Sequence, residues 1–471
     1  MPVFLITFSL NMVQGTEMHF FSPDRLNSSL SGLPLSPAVS SFRLSEEWLR
    51  RIGLAQSGMF IICLFNLPFS EALKEISLTT GFLLSILLVW GRGEGKRYLE
   101  TFLRLFWPIL LFAMVSLASG LNSINVFEGL RGFWGDWETL MCLVFFAVVL
   151  SRWKRTGKTR VWIGGGLLAG TLSGASVGLW RMLYEHRPFL GIMNLGDKNS
   201  TAQFLGLLII LLFYFHLDEQ ERVTEGDRLH GLFLYALPVL FLLLFLTRSR
   251  SFLVGVPLSF LIMIVLTKSW KTLLWVMGFI VLAGIAALLN PIMRWEVLSI
   301  LRPTADGSFT SRYPTWEGAI RMWKAHPFLG VGPNNFHMAN VHALYHLPEY
   351  ASHGHNIFFN LLGEYGTLGV TVFFLWVLQW VRLIAAGIRT GDLQKSHGAL
   401  TGGVLTILLV CGISHPMWGG STSLMLMLAM ALTISPLIRS SGMEEGGERE
   451  PTGNKIPVNA DGERQPLRSL R

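Results

Sequence analysis

Uncharged apolar runs recur along the chain, separated mostly by short polar breaks. They fall at about 52–69, 76–91, 99–119, 137–150, 161–181, 200–217, 229–247, 251–267, 271–289, 355–381, 399–415 and 418–437. About 20 apolar residues cross a bilayer as a helix. Only helices and closed barrels satisfy their backbone in lipid, and these runs are too long for barrel strands. The pattern predicts an all-α polytopic membrane protein with about twelve transmembrane helices.

The polar breaks set the orientation. Arg92, Lys96 and Arg97 follow the second run, and Arg152, Lys154, Arg155, Lys158 and Arg160 follow the fourth. Arg222 and Arg228, then Lys268 and Lys271, then Arg382, Arg389 and Lys395 follow the sixth, eighth and tenth. Cytoplasmic loops collect Lys and Arg, so these breaks and both termini are expected in the cytoplasm. Most outward breaks are short, but one runs from about 290 to 354, with Tyr313 to Ala325 reading as a helix inside it. Loops of that length usually carry function. The expected organisation is a partly disordered cytoplasmic segment over 1–47, nine spans over 48–289, the outward loop over 290–354, three spans over 355–438 and a disordered cytoplasmic tail over 439–471. Phe42 to Ile52 reads as a short interfacial helix. Residues 1–47 lack the basic n-region and cleavage site of a signal peptide.

Composition agrees. Of 471 residues 51% are hydrophobic and only 14% charged, against about 25% in an ordinary soluble domain. The mean hydropathy is +0.47. A soluble enzyme and a disordered or fibrous chain are excluded. The net charge of +8 serves membrane topology, and no nucleic acid partner is expected. Cys63, Cys142 and Cys411 all fall in apolar runs and form neither a disulfide framework nor a zinc spacing.

Four polar features face outward. In Thr247-Arg248-Ser249-Arg250-Ser251 two arginines sit in a tight turn between apolar runs. Charge near hydrocarbon is costly. A single Arg there snorkels to lipid headgroups; a Ser-flanked pair on the outward side points to a bound anion, because the guanidinium fork matches phosphate oxygens. The second feature is Arg312, ahead of the helix that carries Pro314 and Trp316, with Gly330, Gly332, Asn335 and Phe336 downstream. The third is His353-Gly354-His355-Asn356 at the mouth of the tenth span, followed by Gly366 and Gly369. A neutral imidazole at His355 can accept a proton from an attacking hydroxyl or orient it, or simply cap a helix. Gly366 and Gly369 share a helical face and are expected to admit another helix. The fourth is the polar stretch holding Arg181, Glu185, Arg187 and Asp197 to Thr201, where Asn199 is either a helix cap or a substrate contact. His342 and His346 have a metal-ligand spacing on a helix, but carboxylates are few nearby and a wet amphipathic loop is the preferred reading. No Walker, Rossmann or Ser-His-Asp pattern occurs.

Together these features resemble the bacterial O-antigen ligase and polymerase superfamily. The ligase-type His-Asn-x9-Gly-x-x-Gly pattern is met by His355, Asn356, Gly366 and Gly369, and the Ser-Arg turn by Ser249 and Arg250. The Arg-x3-Trp element and its downstream Gly-x-Gly are met by Arg312, Trp316, Gly330, Gly332, Asn335 and Phe336, and the opening of the sixth span by Asn199 to Ala202. The specific likeness covers roughly residues 190–375. The resemblance implies a C-type glycosyltransferase-like fold in the inner membrane, with a periplasmic active site and a glycan donor on undecaprenyl pyrophosphate. It implies an acceptor that is lipid A-core, a growing glycan or a protein, and neither metal nor nucleotide cofactor. By the same resemblance Arg250 and Arg312 bind the donor pyrophosphate and His355 is catalytic, with Arg248, Arg187, Asn199, Trp316, Asn335 and Asn356 supporting. Membrane lipids are the remaining partners. Ligase is favoured over polymerase and protein O-oligosaccharyltransferase. The non-enzyme alternative is a transporter, which should bury ionisable groups mid-span and interrupt helices in paired halves; most spans here look clean.

Overall fold

The computed structural model describes residues 44–153, 157–193, 195–221, 232–270, 310–342, 344–348 and 352–440, with scattered helical positions between 272 and 298. Among the described residues there is no strand. In chain order the helices are α1 (Glu46–Asn66), α2 (Glu71–Gly91), α3 (Gly95–Leu121), α4 (Val126–Arg152), α5 (Gly157–Tyr184), α6 (Lys198–Glu221), α7 (Leu232–Leu246), α8 (Arg250–Thr267), α9 (Tyr313–Ala325), α10 (Phe336–Val341), α11 (Ile357–Thr390), α12 (Lys395–Gly412) and α13 (Gly420–Ser440). Nine of the described helices are long and apolar enough to span a membrane. The all-α polytopic class is as expected. Eleven of the twelve apolar runs coincide with helices, and most of the 271–289 run, the 1–43 segment and the 441–471 tail lie outside the described residues.

Chain direction alternates, so the breaks gather at two ends. At one end Leu44 N–H donates to Gly91 O (2.9 Å), Arg152 pairs with Glu94 (3.0 Å) and Arg160 with Asp218 (2.9 Å). Ser396 adds a bond to Asp218 (2.9 Å), tying α5, α6 and α12 together at this basic end. At the other end Leu190 N–H donates to Leu246 O, Ser421 to Leu67 O and Asn356 to Ile413 O. That second end carries the loop helices α9 and α10. α6 and α13 are the most enclosed helices, with Phe204, Phe213, Met427 and Ile434 fully buried.

Two expectations need correction. No separate interfacial helix exists at 42–52: Ser45 caps the N-terminus through the Trp48 N–H, and the helix then runs unbroken to Asn66, because nothing in that stretch interrupts the backbone ladder. The spans are also less clean than their composition suggests. Lys74, Asp136, Arg160, Asp218 and Glu364 are buried within helices, each with a polar partner.

The decisive local feature is a break in α11. Gly366 has φ 63° and ψ −163°, outside the helical region. In a continuous helix the N–H groups of 367 and 368 would donate to the carbonyls of 363 and 364. Here Thr367 N–H donates to Pro327 O (2.9 Å) and Leu368 N–H to Phe328 O (3.1 Å), while the carbonyls of Gly363 and Glu364 accept from Val331 and Gly332 (2.9 Å each). The loop segment 327–332 thus replaces the missing helical bonds one for one, as buried backbone groups require. A Cβ on Gly366 would meet Phe328 O at 2.5 Å, and one on Gly330 (φ 68°) would meet Glu364 C at 2.4 Å. The close approach expected at Gly366 is therefore that of a loop, not of a helix. Gly369 faces Tyr365 of its own helix.

Gly366→Ala and Gly330→Ala should each destabilise the purified protein by more than about 2 kcal/mol, through positive φ and backbone overlap. Gly53→Ala, with nothing near its Cα in mid-α1, should be neutral or stabilising by up to about 1 kcal/mol. Thermal unfolding in detergent checks this, and a Gly366→Ala protein as stable as the parent would contradict the interlock.

Candidate active site

The loop that docks on the α11 break has a small core of its own. Ala319, Met322, Val331, Phe336 and Ala339 are fully buried, with Ile124, Tyr345, Leu347 and Phe359 packed around them. Asn335, also fully buried, accepts from Asn125 N–H (2.9 Å) and donates to Asn125 O (3.3 Å) and Pro333 O (3.0 Å), clipping the loop to the α3–α4 turn. Trp316 stacks on Phe359 (5.4 Å, 24°), which seats α9 on the first turns of α11. Pro314 lies in the first turn of α9, with Arg312 at its N-cap position. Arg312 is thereby carried to the mouth of α11.

There the sequence motifs converge. Asn356 caps α11, accepting from Phe358 (2.8 Å) and Phe359 (3.2 Å) N–H groups and donating to Ile413 O (3.1 Å). Ser249 bonds Asn199 Oδ1 (3.5 Å), joining the starts of α6 and α8. Ser251 Oγ lies 3.0 Å from His415 Nε2, and His415 stacks on Phe252 (5.8 Å, 26°). Arg250, the first residue of α8, sits between these two serines. The positive charge of Arg312 reaches His353, His355 and His415. The N-termini of α6, α8 and α11 thus open on one mouth beside basic side chains, an arrangement that favours anions.

The histidines at this mouth are held neutral. Burial first, then His353 and Arg312, push His355 down to about 4 from the ordinary 6.5. Burial, then Arg312, push the almost fully enclosed His415 down to about 3. His353 is lowered mainly by burial, with Asp197 opposing. A histidine with a depressed folded pKa binds protons more readily when unfolded, so its contribution to stability is lost as pH falls from about 6.5 toward about 4. Backbone strain collects here too. Of the seven non-glycine residues with positive φ among the described residues, all but Lys268 lie in loops of this end, including Arg248 (56°) and His355 (46°).

Some expected residues serve elsewhere. Asp197, not Asn199, caps α6, accepting from the N–H groups of Asn199 (2.6 Å) and Ser200 (3.1 Å); its side chain is one residue ahead of the helix, where a cap must be. Arg187 is exposed and pairs with Glu185 (3.0 Å). Arg248 lies in the strained turn before α8. α10 ends at Val341, so His342 and His346 do not share a helical face; His346 lies in a short 3-10 turn with positive φ. Among the described residues no group of three His, Cys, Asp or Glu side chains could hold a metal ion.

Sequence reading missed three supports. His415 was hidden at the end of an apolar run, although His-Pro at an outward break marks it. Glu364 is buried and accepts from Phe336 N–H (3.1 Å) and Asn360 Nδ2 (3.0 Å), while Asn360 accepts from Gly354 N–H (2.9 Å) beside His355. Asp136 of α4 accepts from Trp418 Nε1 (2.8 Å) and Tyr365 OH (2.9 Å), fixing the loop that carries His415.

The fold and mouth define a polytopic helical membrane protein with an anion-favouring cluster of helix N-termini and basic side chains at one end. Residues 234–374 match the family model for O-antigen ligase. This stretch holds the Ser249-Arg250 turn, Arg312 and His355, and leaves Asn199 and His415 outside. No curated protein matches the chain. The likeness to the O-antigen ligase and polymerase superfamily is borne out, and with it a glycan-transferring, glycosyltransferase-like role in a multi-pass bacterial membrane protein.

Arg312→Ala should raise the pKa of both His355 and His415, because removing a cation favours the protonated imidazole. Histidine NMR titration in micelles reads the shift; unchanged midpoints would separate Arg312 from this mouth.

Proposed function

We propose that the protein transfers a glycan from undecaprenyl pyrophosphate to an acceptor hydroxyl at the periplasmic face, most simply as an O-antigen ligase acting on lipid A-core. The observation that carries this is the meeting of Arg312, the Ser249-Arg250-Ser251 turn, His355 and His415 at one mouth where three helices begin. The basic loops at the opposite end support a periplasmic position for that mouth.

In this reading Arg250 and Arg312 grip the diphosphate with charge-assisted hydrogen bonds. The neutral His355 imidazole accepts the acceptor's proton as its oxygen attacks the anomeric carbon. The bond from that carbon to the phosphate oxygen breaks, and undecaprenyl pyrophosphate leaves with the electron pair. Attack opposite the leaving group inverts the anomeric centre. Fixed guanidinium groups stabilise the charge gathering on the diphosphate, with little reorganisation in a partly dry site. The energy resides in the glycosyl phosphate bond, so no nucleotide is required. Asn360 and Glu364 hold the turn before His355, and His415 holds the Ser251 side of the mouth.

Arg250→Ala, Arg312→Ala and His355→Ala should each lower transfer at least about 100-fold while the protein stays in the membrane. Transfer from purified lipid-linked donor checks this, and normal turnover by both arginine variants would refute the diphosphate role. The lipopolysaccharide ladder of a deletion strain separates the acceptors. Polymer left on carrier lipid identifies a ligase, single repeats on core a polymerase, and an intact ladder with lost glycoprotein a protein-directed enzyme.

The donor's negative charge should raise the His355 pKa above its free value near 4. The acid limb of kcat should therefore lie at higher pH than that of kcat/KM, which reports the free enzyme. Coincident limbs would contradict a shared site for His355 and the diphosphate.

A further inference from the structure

A cavity lies in the half of the bundle nearer the basic end. It measures about 260 Å³ and is lined by Phe82 and Trp90 of α2, Tyr98 and Leu99 of α3, and Val144 and Val148 of α4, among others. Its walls are apolar. Trp90 and Leu99 are also exposed on the outer surface of the bundle, so the cavity adjoins hydrocarbon rather than the catalytic mouth.

Its rim is basic. The Arg152 guanidinium lies 5.7 Å from the centre of the Tyr98 ring, and that of Arg97 lies 5.9 Å from it. Arg92 and Lys96 stand on the same α2–α3 turn, with Glu94 and Glu100 as the only acids close in sequence. Arg152 spends Nη2 on Glu94 (3.0 Å). Its Nε and Nη1 are buried and bond nothing among the described residues. The carbonyls at the end of α4 do not take them: Ser151 O, Leu150 O and Trp153 O accept from Arg439 instead. Two buried guanidinium donors without an acceptor are costly, and each can make a charge-assisted hydrogen bond to a phosphate oxygen.

We propose that this cavity and rim form a binding site for an anionic phospholipid of the cytoplasmic leaflet. One acyl chain enters the cavity against Phe82, Val144 and Val148. The headgroup phosphate accepts from Arg152 Nη1, and Arg97 and Lys96 favour an anionic over a zwitterionic headgroup. The site pins α2, α3 and α4 at the end where no loop domain braces them.

The test uses the full-length protein purified in detergent, with phosphatidylglycerol, phosphatidylcholine or undecaprenyl phosphate added. Native mass spectrometry counts retained lipid, and thermal unfolding reads stabilisation. Phosphatidylglycerol should be retained and raise the unfolding temperature, and phosphatidylcholine should do so much less. Arg152→Lys keeps the charge but removes the two donors, and should weaken phosphatidylglycerol retention about tenfold. Val144→Trp fills the cavity without touching the rim and should reduce retention of both phospholipids. Equal retention of the two phospholipids, no effect of either variant, or retention of undecaprenyl phosphate alone would overturn the proposal.

Discussion

Four backbone groups at the break in α11 govern the geometry of this molecule. The amides of Thr367 and Leu368 and the carbonyls of Gly363 and Glu364 lose their helical partners at Gly366 and regain partners from the loop segment 327–332. Each lost bond would leave a buried polar group at considerable cost. The exchange therefore fixes the loop to the helix with little freedom to slide, since a one-residue shift would unpair all four. Everything the loop carries inherits this register. Asn335 reaches Asn125, Trp316 stacks on Phe359, and Arg312 comes to the start of α11, where Asn356 and His355 stand.

The mouth so assembled is a balance of opposing electrostatics. Three helix N-termini and Arg312 make it favourable to anions. The same positive potential, added to burial, keeps His355 and His415 unprotonated. An empty site thus holds its cationic charge on the arginines, which cannot give up their protons, and leaves its imidazoles as acceptors. An anion bound among these groups would oppose the field and strengthen both acceptors together. Charge at the mouth and basicity at His355 are coupled through space, without any moving part.

Much of this was legible in the sequence because each legible feature is local. Hydropathy marks helices by period and length, so eleven apolar runs coincide with helices, although some helices extend well past the run, as at Val126 and Thr390. The Tyr313–Ala325 helix was readable from its own residues, and the identity of Arg250, Arg312 and His355 as candidates rested on polar groups at outward breaks. What was not legible depends on contact between distant segments. The Gly366-x-x-Gly369 spacing looks like a helix-packing face, yet its first glycine serves a loop that lies earlier in the chain. His342 and His346 have a helical spacing, but the helix ends before either is reached. Asn199 resembles a cap, and only the observed start of α6 assigns that role to Asp197. His415 and Glu364 were lost inside apolar runs, since hydropathy averages a single polar residue away, and Asp136 stands just ahead of one, where nothing local marks it as buried.

Those last residues show how buried ionisable groups are held within this helical bundle. A charge inside a membrane must have partners or a functional route. Asp136 has three donors, from Ser116, Tyr365 and Trp418, drawn from α3, α11 and the loop before α13. Glu364 has Asn360 and a loop amide. Each sits near the mouth and is held still by its own donors. A fully satisfied polar network rigidifies the elements it joins. Asp136 does so below His415 and Glu364 below His355, so the two imidazoles are braced from the membrane side by carboxylates whose own donors are fixed. A transporter must change such contacts to open its other side. This arrangement resists that change, as a site that needs its reacting groups held in one geometry requires.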